Sequence, residues 1–244
     1  MISIIIPVYN SEKSIKELCK RIIKTMESHE LKYEIILVDD YSNDNSYRIM
    51  EELYNENKNI VCIKLIKNYG QQNALLCGLR HGKGDYYVTI DDDLQNIPED
   101  IIKLLDKIKQ GYDVVYGVCY NKNYNSYRNL GTKLKEYIFT IFLGKPNNIK
   151  LTSFRVMNKH IVKKVNKETV SHIYLSATIL KHTKNIGNIN ISYYSRMYGK
   201  SNYDFKKLYK LFLGILRYYT NIPIVSYYKK NIPQYRIEKV LRKE

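Results

Sequence analysis

Three consecutive carboxylates, Asp91-Asp92-Asp93, follow the apolar run Val88-Thr89-Ile90 and precede Leu94-Gln95-Asn96. Like charges in a row repel, and in an extended chain the first and third project to the same side. Asp91 and Asp93 therefore form a pair that wants a cation. Oxygen ligands select Mg²⁺ or Mn²⁺, ions that bridge one or two carboxylates to substrate phosphates. The competing reading is a solvated helix cap, and the position at the end of a buried strand argues against it. A second acidic pair, Asp39-Asp40, ends another apolar run, and Tyr9 ends a third. A carboxylate there can accept hydrogen bonds from a ribose hydroxyl or a base imide while Tyr9 stacks on the base; an Asx turn capping the next helix is the alternative.

The remaining candidates are cations. The first 113 residues carry 15 basic against 19 acidic side chains, and the rest of the chain carries 25 against five, within a formal net charge of +16. From Tyr137 to Tyr203 the only acidic residue is Glu168. A sugar hydroxyl acceptor needs a carboxylate base, whereas a phosphate acceptor is already a nucleophile and needs cations to place it. Arg128, Arg155, Arg196 and Lys200 are suited to that task, the arginines as bidentate phosphate binders and the lysine as a point charge. A hydroxyl-directed enzyme would require Glu168 or Asp92 as its base. A nucleic-acid-binding module would satisfy the charge but leaves the Asp91–Asp93 cluster without a role, so nucleic acid is not expected as a partner.

Short β-rich runs alternate with amphipathic helical stretches up to about Val118, an α/β signature. Strands are expected at Ile2 to Val8, Tyr33 to Asp39, Ile60 to Ile66, Tyr86 to Ile90 and Asp113 to Val118. Helices are expected at Ser14 to Ser28, Asn45 to Asn55, Gln71 to His81 and Pro98 to Gln110. In an open α/β sheet ligands bind beyond the carboxyl ends of the strands, where Tyr9, Asp39, Asp40 and Asp91 to Asp93 all fall. No G-x-G-x-x-G or P-loop follows the first strand, which removes the usual dinucleotide and P-loop readings. Beyond Val118 the pattern gives a polar loop, a helix from Arg128 to Leu143 and a strand near Lys150 to Met157. A last helix, Asp204 to Tyr219, carries an apolar face edged by Lys206, Lys207, Lys210 and Arg217. The tail from Pro223 reads as basic and loosely ordered. No apolar stretch is long enough to span a bilayer, and four scattered cysteines point to a reducing compartment.

Pro7-Val8-Tyr9-Asn10, Val38-Asp39-Asp40-x-Ser42, Asn68-Tyr69-Gly70 with Gly78, and Asp91-Asp92-Asp93-Leu94-Gln95 resemble, in order and spacing, the family 2 nucleotide-sugar glycosyltransferases with the GT-A fold. Ser153-Phe154-Arg155 and Arg196-x-Tyr198-Gly199-Lys200-Ser201 are similar to the polyprenyl-phosphate branch, the dolichyl-phosphate mannose synthases and bactoprenol glucosyltransferases. Ser153 departs from relatives that carry an acid near this point. The resemblance implies a Rossmann-like, mostly parallel central sheet flanked by helices, with a C-terminal amphipathic helix appended. It implies a GT-A domain over 1–203, divided into a nucleotide-sugar half (1–118) and an acceptor half (119–203), then a helix and basic tail over 204–244. It implies that Pro7, Tyr9, Asp39 or Asp40, and Asp92 line the donor site, and that Asp91, Asp93 and Gln95 surround Mg²⁺ or Mn²⁺. The expected partners are a nucleoside-diphosphate sugar, a polyprenyl phosphate and an anionic membrane surface, reached as a peripheral protein on the cytoplasmic face, with inversion at the anomeric carbon. The sequence allows a homo-oligomer without fixing its order.

Overall fold

A computed structural model describes residues 1–119, 137, 139–169, 173–192, 213–214 and 234–243. The elements run β1 (Ile2–Val8), α1 (Ile15–Ser28), β2 (Tyr33–Asp39), α2 (Ser46–Glu56), β3 (Ile60–Leu65), α3 (Gln71–His81) and β4 (Tyr86–Thr89). A single 3₁₀ turn, Pro98–Asp100, leads into α4 (Ile101–Ile108), followed by β5 (Val114–Val118), β6 (Arg155–Asn158), α5 (Lys159–Asn166), α6 (Leu175–His182), β7 (Ile186–Asn190) and β8 (Ile237–Leu241).

Every residue of β1 and β2 is buried. Strands apolar on both faces must lie inside a sheet covered on both sides, and these two lie near the centre of the order β7-β5-β6-β4-β1-β2-β3-β8. β1, β2, β3 and β4 are mutually parallel, and β5 and β7 share their direction; β6 and β8 run against the rest. The pleat sends Ile5 of β1 into one core with α3, α5 and α6, and Ile4 and Ile6 into the other with α1 and α4. Helix α3 lies close against β1 because Gly78 has no side chain. A Cβ there would stand 2.3 Å from Ile5 Cγ2.

The strand register positions the site. Val8 pairs with Asp39 at the ends of β1 and β2, whereas β4 stops at Thr89 opposite Ile5, so the chain after it runs on beside the end of β1. Because β6 is antiparallel, its first residue, Arg155, lies opposite Thr89 at that same edge.

Two expectations change. The strand near Lys150 to Met157 begins only at Arg155, because the Thr152 hydroxyl bonds the Gly117 and Phe154 carbonyls and bends the chain there. The tail is not loose throughout: β8 pairs antiparallel with the edge strand β3. Lys64–Glu238 (3.0 Å), Lys239–Glu51 (3.0 Å) and Arg242–Glu34 (3.0 Å) fix it laterally. An open edge presents unpaired amides and carbonyls, and a short alternating segment such as Ile237–Leu241 satisfies them. Within the Arg128 to Leu143 helix, residues 137 and 139–143 are helical. The rest of that helix, and all but residues 213–214 of the Asp204 to Tyr219 helix, lie outside the described residues. No helix among the described residues is long and apolar enough to cross a membrane.

Candidate active site

The carboxyl ends of β1, β2 and β4 enclose a cleft of about 330 Å³, lined by Pro7, Val8, Tyr9, Asp40, Asn68, Gly70, Gln71, Asp91, Asp92 and Asp93. Three of the turns that shape it hold a non-glycine residue at positive φ: Asn10 (55°) after β1, Tyr41 (66°) after β2 and Leu94 (58°) after the acidic run. Left-handed backbone is costly for residues such as Tyr and Leu and persists where its surroundings over-determine it. Leu94 is 4% exposed, and its burial in the core turns the chain sharply after Asp93.

Hydrogen bonds lock the turns together. Asn10 N–H donates to Ser42 Oγ (3.0 Å), Asn43 N–H to Asn10 Oδ1 (2.8 Å), and Ser11 N–H to Ser46 Oγ (2.7 Å). Asp92 accepts from Tyr9 N–H (3.1 Å) and from the Ser11 hydroxyl, tying the acidic loop to the end of β1. Burial pushes its carboxyl up to about 6, against these two hydrogen bonds and aided by the charges of Asp91 and Asp93. Asp40, 2% exposed, accepts from Tyr69 N–H (2.7 Å) through one oxygen and from Gly70 N–H (2.8 Å) through the other. Its carboxyl is likewise raised to about 6 by burial, the two amides opposing. Gly70, at φ 86°, makes the turn that aims these amides and then opens α3.

Pro7, Tyr9, Asp40, Asp91, Asp92 and Asp93 are therefore brought together, with Tyr9 still 47% exposed. Asp39 is not part of the lining: it is fully buried, accepts from Ser42 N–H (3.2 Å), and is pushed upward by that burial. The Gln95 backbone N–H donates to Asp93 Oδ1 (3.2 Å), closing a tight turn. Arg155 lies beneath the surface of the cleft at 2% exposure, because β6 pairing places it in the sheet with its guanidinium between Thr89 and Ser176. Arg128, Arg196 and Lys200 lie outside the described residues.

Asn68, Gln71 and Ser153 were not anticipated here. Gln71 Nε2 donates to Asp91 Oδ1 (2.7 Å) and Ser153 Oγ to Asp91 Oδ2 (2.5 Å). Asn68 and Ser153 stood in the motifs quoted above without a role at Asp91, and the signal for Gln71 was a Gln71-Gln72 pair opening an otherwise apolar helix. Glu168, one alternative base, accepts from Lys181 (2.8 Å) and lies 2.9 Å from His182. Its carbonyl accepts from Arg80 at the last turn of α3, whose first residue lines the cleft. An eleven-residue helix is about 15 Å long, so Glu168 stands at the opposite end of the sheet.

The donor set around Asp91 and Asp93 is all oxygen, and among the described residues no group of three or more His, Cys, Asp or Glu side chains is arranged to hold a metal ion by itself. Two carboxylates at a cleft suit a small hard cation that takes its other ligands from phosphate and water.

The model of the family described as Glycosyl transferase family 2 matches residues 3–166. The chain belongs to glycosyl transferase family 2. It is 33% identical over 224 residues to the undecaprenyl-phosphate 4-deoxy-4-formamido-L-arabinose transferase of Proteus mirabilis (strain HI4320), covering 91% of this chain and 69% of that protein. Among solved structures, S. aureus TarS 1–349 superposes with TM-score 0.57 at 21% identity, over 88% of this chain and 65% of that one. The M. tuberculosis glucosyl-3-phosphoglycerate synthase in complex with Mn²⁺, UDP-glucose and phosphoglyceric acid gives 0.62 at 15% identity, over 88% and 78%. At these identities the structures establish the GT-A fold: a mostly parallel α/β sheet whose strand ends carry the acidic cleft.

Proposed function

We propose that this member of family 2, a nucleotide-sugar glycosyltransferase, moves a sugar from a nucleoside diphosphate to a polyprenyl phosphate of the undecaprenyl or dolichyl type, with inversion, at a membrane surface. The observation that carries the acceptor class is the absence, among the described residues, of an available carboxylate base on the acceptor side. Glu168 is held by Lys181 and His182 at the far end of the sheet, and Asp92 is committed to Tyr9 and Ser11. The name of the 33% identical relative, an undecaprenyl-phosphate sugar transferase, supports the same class.

Tyr9 and Asp40 border the nucleoside, and Asp91 and Asp93, with Gln95 beside them, would hold Mg²⁺ or Mn²⁺. When bound, that ion would supply Lewis-acid neutralisation of the diphosphate. The buried, hydrogen-bonded turns keep the carboxylates in place, so little reorganisation accompanies donor binding. Arg128, Arg196 and Lys200 place the acceptor phosphate. One of its oxygens attacks the anomeric carbon from the face opposite the diphosphate; the carbon–oxygen bond to the diphosphate breaks, and the nucleoside diphosphate leaves with the electron pair. No proton has to be removed from an ionised phosphate. The acceptor's long chain places the enzyme peripherally on the cytoplasmic face.

The test is a panel of nucleotide sugars incubated with undecaprenyl phosphate, Mn²⁺ and the purified protein, with products identified by mass spectrometry. A sugar phosphodiester of the polyprenol is expected from one donor. Transfer to none, with transfer to a soluble glycan instead, would overturn the acceptor assignment.

A further inference from the structure

Arg155 heads a closed circuit of hydrogen bonds that joins the acceptor half to Asp91. Asp91 Oδ2 accepts from Ser153 Oγ (2.5 Å), and the Ser153 carbonyl accepts from Thr89 Oγ1 (2.6 Å) and Arg155 Nε (3.4 Å). Arg155 Nε also approaches Thr89 Oγ1 (3.2 Å), and Nη1 donates to Ser176 Oγ (3.0 Å) in the first turn of α6. The neighbouring Leu175 N–H donates to Gln72 Oε1 (2.9 Å), and Gln71 Nε2 returns to Asp91 Oδ1 (2.7 Å). Both oxygens of Asp91 are thus gripped, one from the bend just before β6 and one from α3, and Arg155 and Gln72 attach both grips to the start of α6.

A buried guanidinium is expensive to desolvate. This one has no ion pair among the described residues and rests 5.4 Å from the Tyr116 ring centroid. It is too deep to reach a ligand in the cleft. What its planar fork can do, and a lysine's point charge cannot, is hold Thr89 and Ser153 on one side and Ser176 on the other at once.

We propose that Arg155 is a positioning residue: acting through Ser153, it sets the orientation in which Asp91 meets the metal-bound diphosphate. The inference rests on the metal reading above. It makes Ser153, the departure from acid-bearing relatives, a neutral donor matched to Asp91.

The test measures Mn²⁺ binding by electron paramagnetic resonance in the presence of UDP, GDP or dTDP, whichever the wild type binds most tightly, and binding of that nucleotide without metal. Arg155→Lys and Ser153→Ala are compared with wild type; Ser153 is partly exposed in the bend before β6, so its variant is not expected to disturb folding. Removing a side chain that orients a metal-ligating carboxylate typically costs about ten- to a hundredfold in metal affinity. Both variants should weaken Mn²⁺ by at least about tenfold while leaving metal-free nucleotide affinity unchanged. Unchanged Mn²⁺ affinity in Ser153→Ala, or equal losses with and without metal, would overturn the positioning role. If the wild type itself bound no Mn²⁺ with any of the three nucleotides, the metal reading would fail and this inference with it.

Discussion

Asp40 offers a direct reading of how the cleft is built against stability. Its carboxyl is 2% exposed and is pushed from an ordinary value of 3.8 up to about 6 by burial, although Tyr69 and Gly70 N–H favour the charged form. The folded-state value lies above the unfolded one, so ionisation opposes folding. The penalty is complete above about pH 6 and is relieved as pH falls toward the unfolded value. Between pH 7 and pH 5 the native state takes up most of one proton that the unfolded chain does not, a gain of about 1 kcal/mol. That corresponds to roughly 2 to 4 °C in a chain of this size. The perturbation is Asp40→Asn, whose amide can accept from only one of the two N–H groups, so lower stability at both pH values is expected. Only the slope is diagnostic. Urea unfolding with EDTA present, at pH 7 and pH 5, should show the wild type gaining about 1 kcal/mol more than the variant on acidification. Histidines and surface acids cancel in this double difference. Parallel pH profiles would refute the claim that Asp40 is ionised at a cost.

Gly78→Ala should lower the melting temperature, because overpacking against Ile5 costs about 1 to 3 kcal/mol and exceeds the gain of about 1 kcal/mol in helix propensity. Removing residues 234–244 should expose the β3 edge and produce self-association detectable by light scattering; a stable monomer would show that β8 does not protect that edge. Because β8 lies beyond the proposed membrane helix, that helix is better tested by Lys206, Lys207 and Lys210 all changed to Glu than by truncation. Losing three charges at about 1 kcal/mol each should cut sedimentation with anionic liposomes more than a hundredfold in affinity, and an unchanged bound fraction would exclude the helix as anchor.

The central fold was legible because β1 and β2 are apolar on both faces, and α3 begins and ends within the expected Gln71 to His81. The cleft was legible because these carboxylates stand at the carboxyl ends of buried parallel strands, where ligands of an open α/β sheet bind. What the sequence did not carry was the division of labour among them. Asp39 and Asp40 are adjacent and chemically identical, yet consecutive residues at the end of β2 project to opposite sides and only the second reaches the lining. Arg155 read as a phosphate-binding cation, and its burial was not legible because it depends on β6 inserting antiparallel between β4 and β5, a long-range pairing with no local signature. The edge strand β8 was hidden for the same reason: Ile237–Leu241 is too short and too charged to declare itself without β3 beside it.

The central claim, a phosphate nucleophile with no protein base, is tested most directly by comparing two acceptors that differ only at the reacting group. Initial rates should be measured with the best nucleotide sugar, Mn²⁺, and either undecaprenyl phosphate or undecaprenol in the same detergent. The account predicts a sugar-linked product from undecaprenyl phosphate and none above background from undecaprenol. Comparable rates with the alcohol would require a base in the cleft and would contradict it.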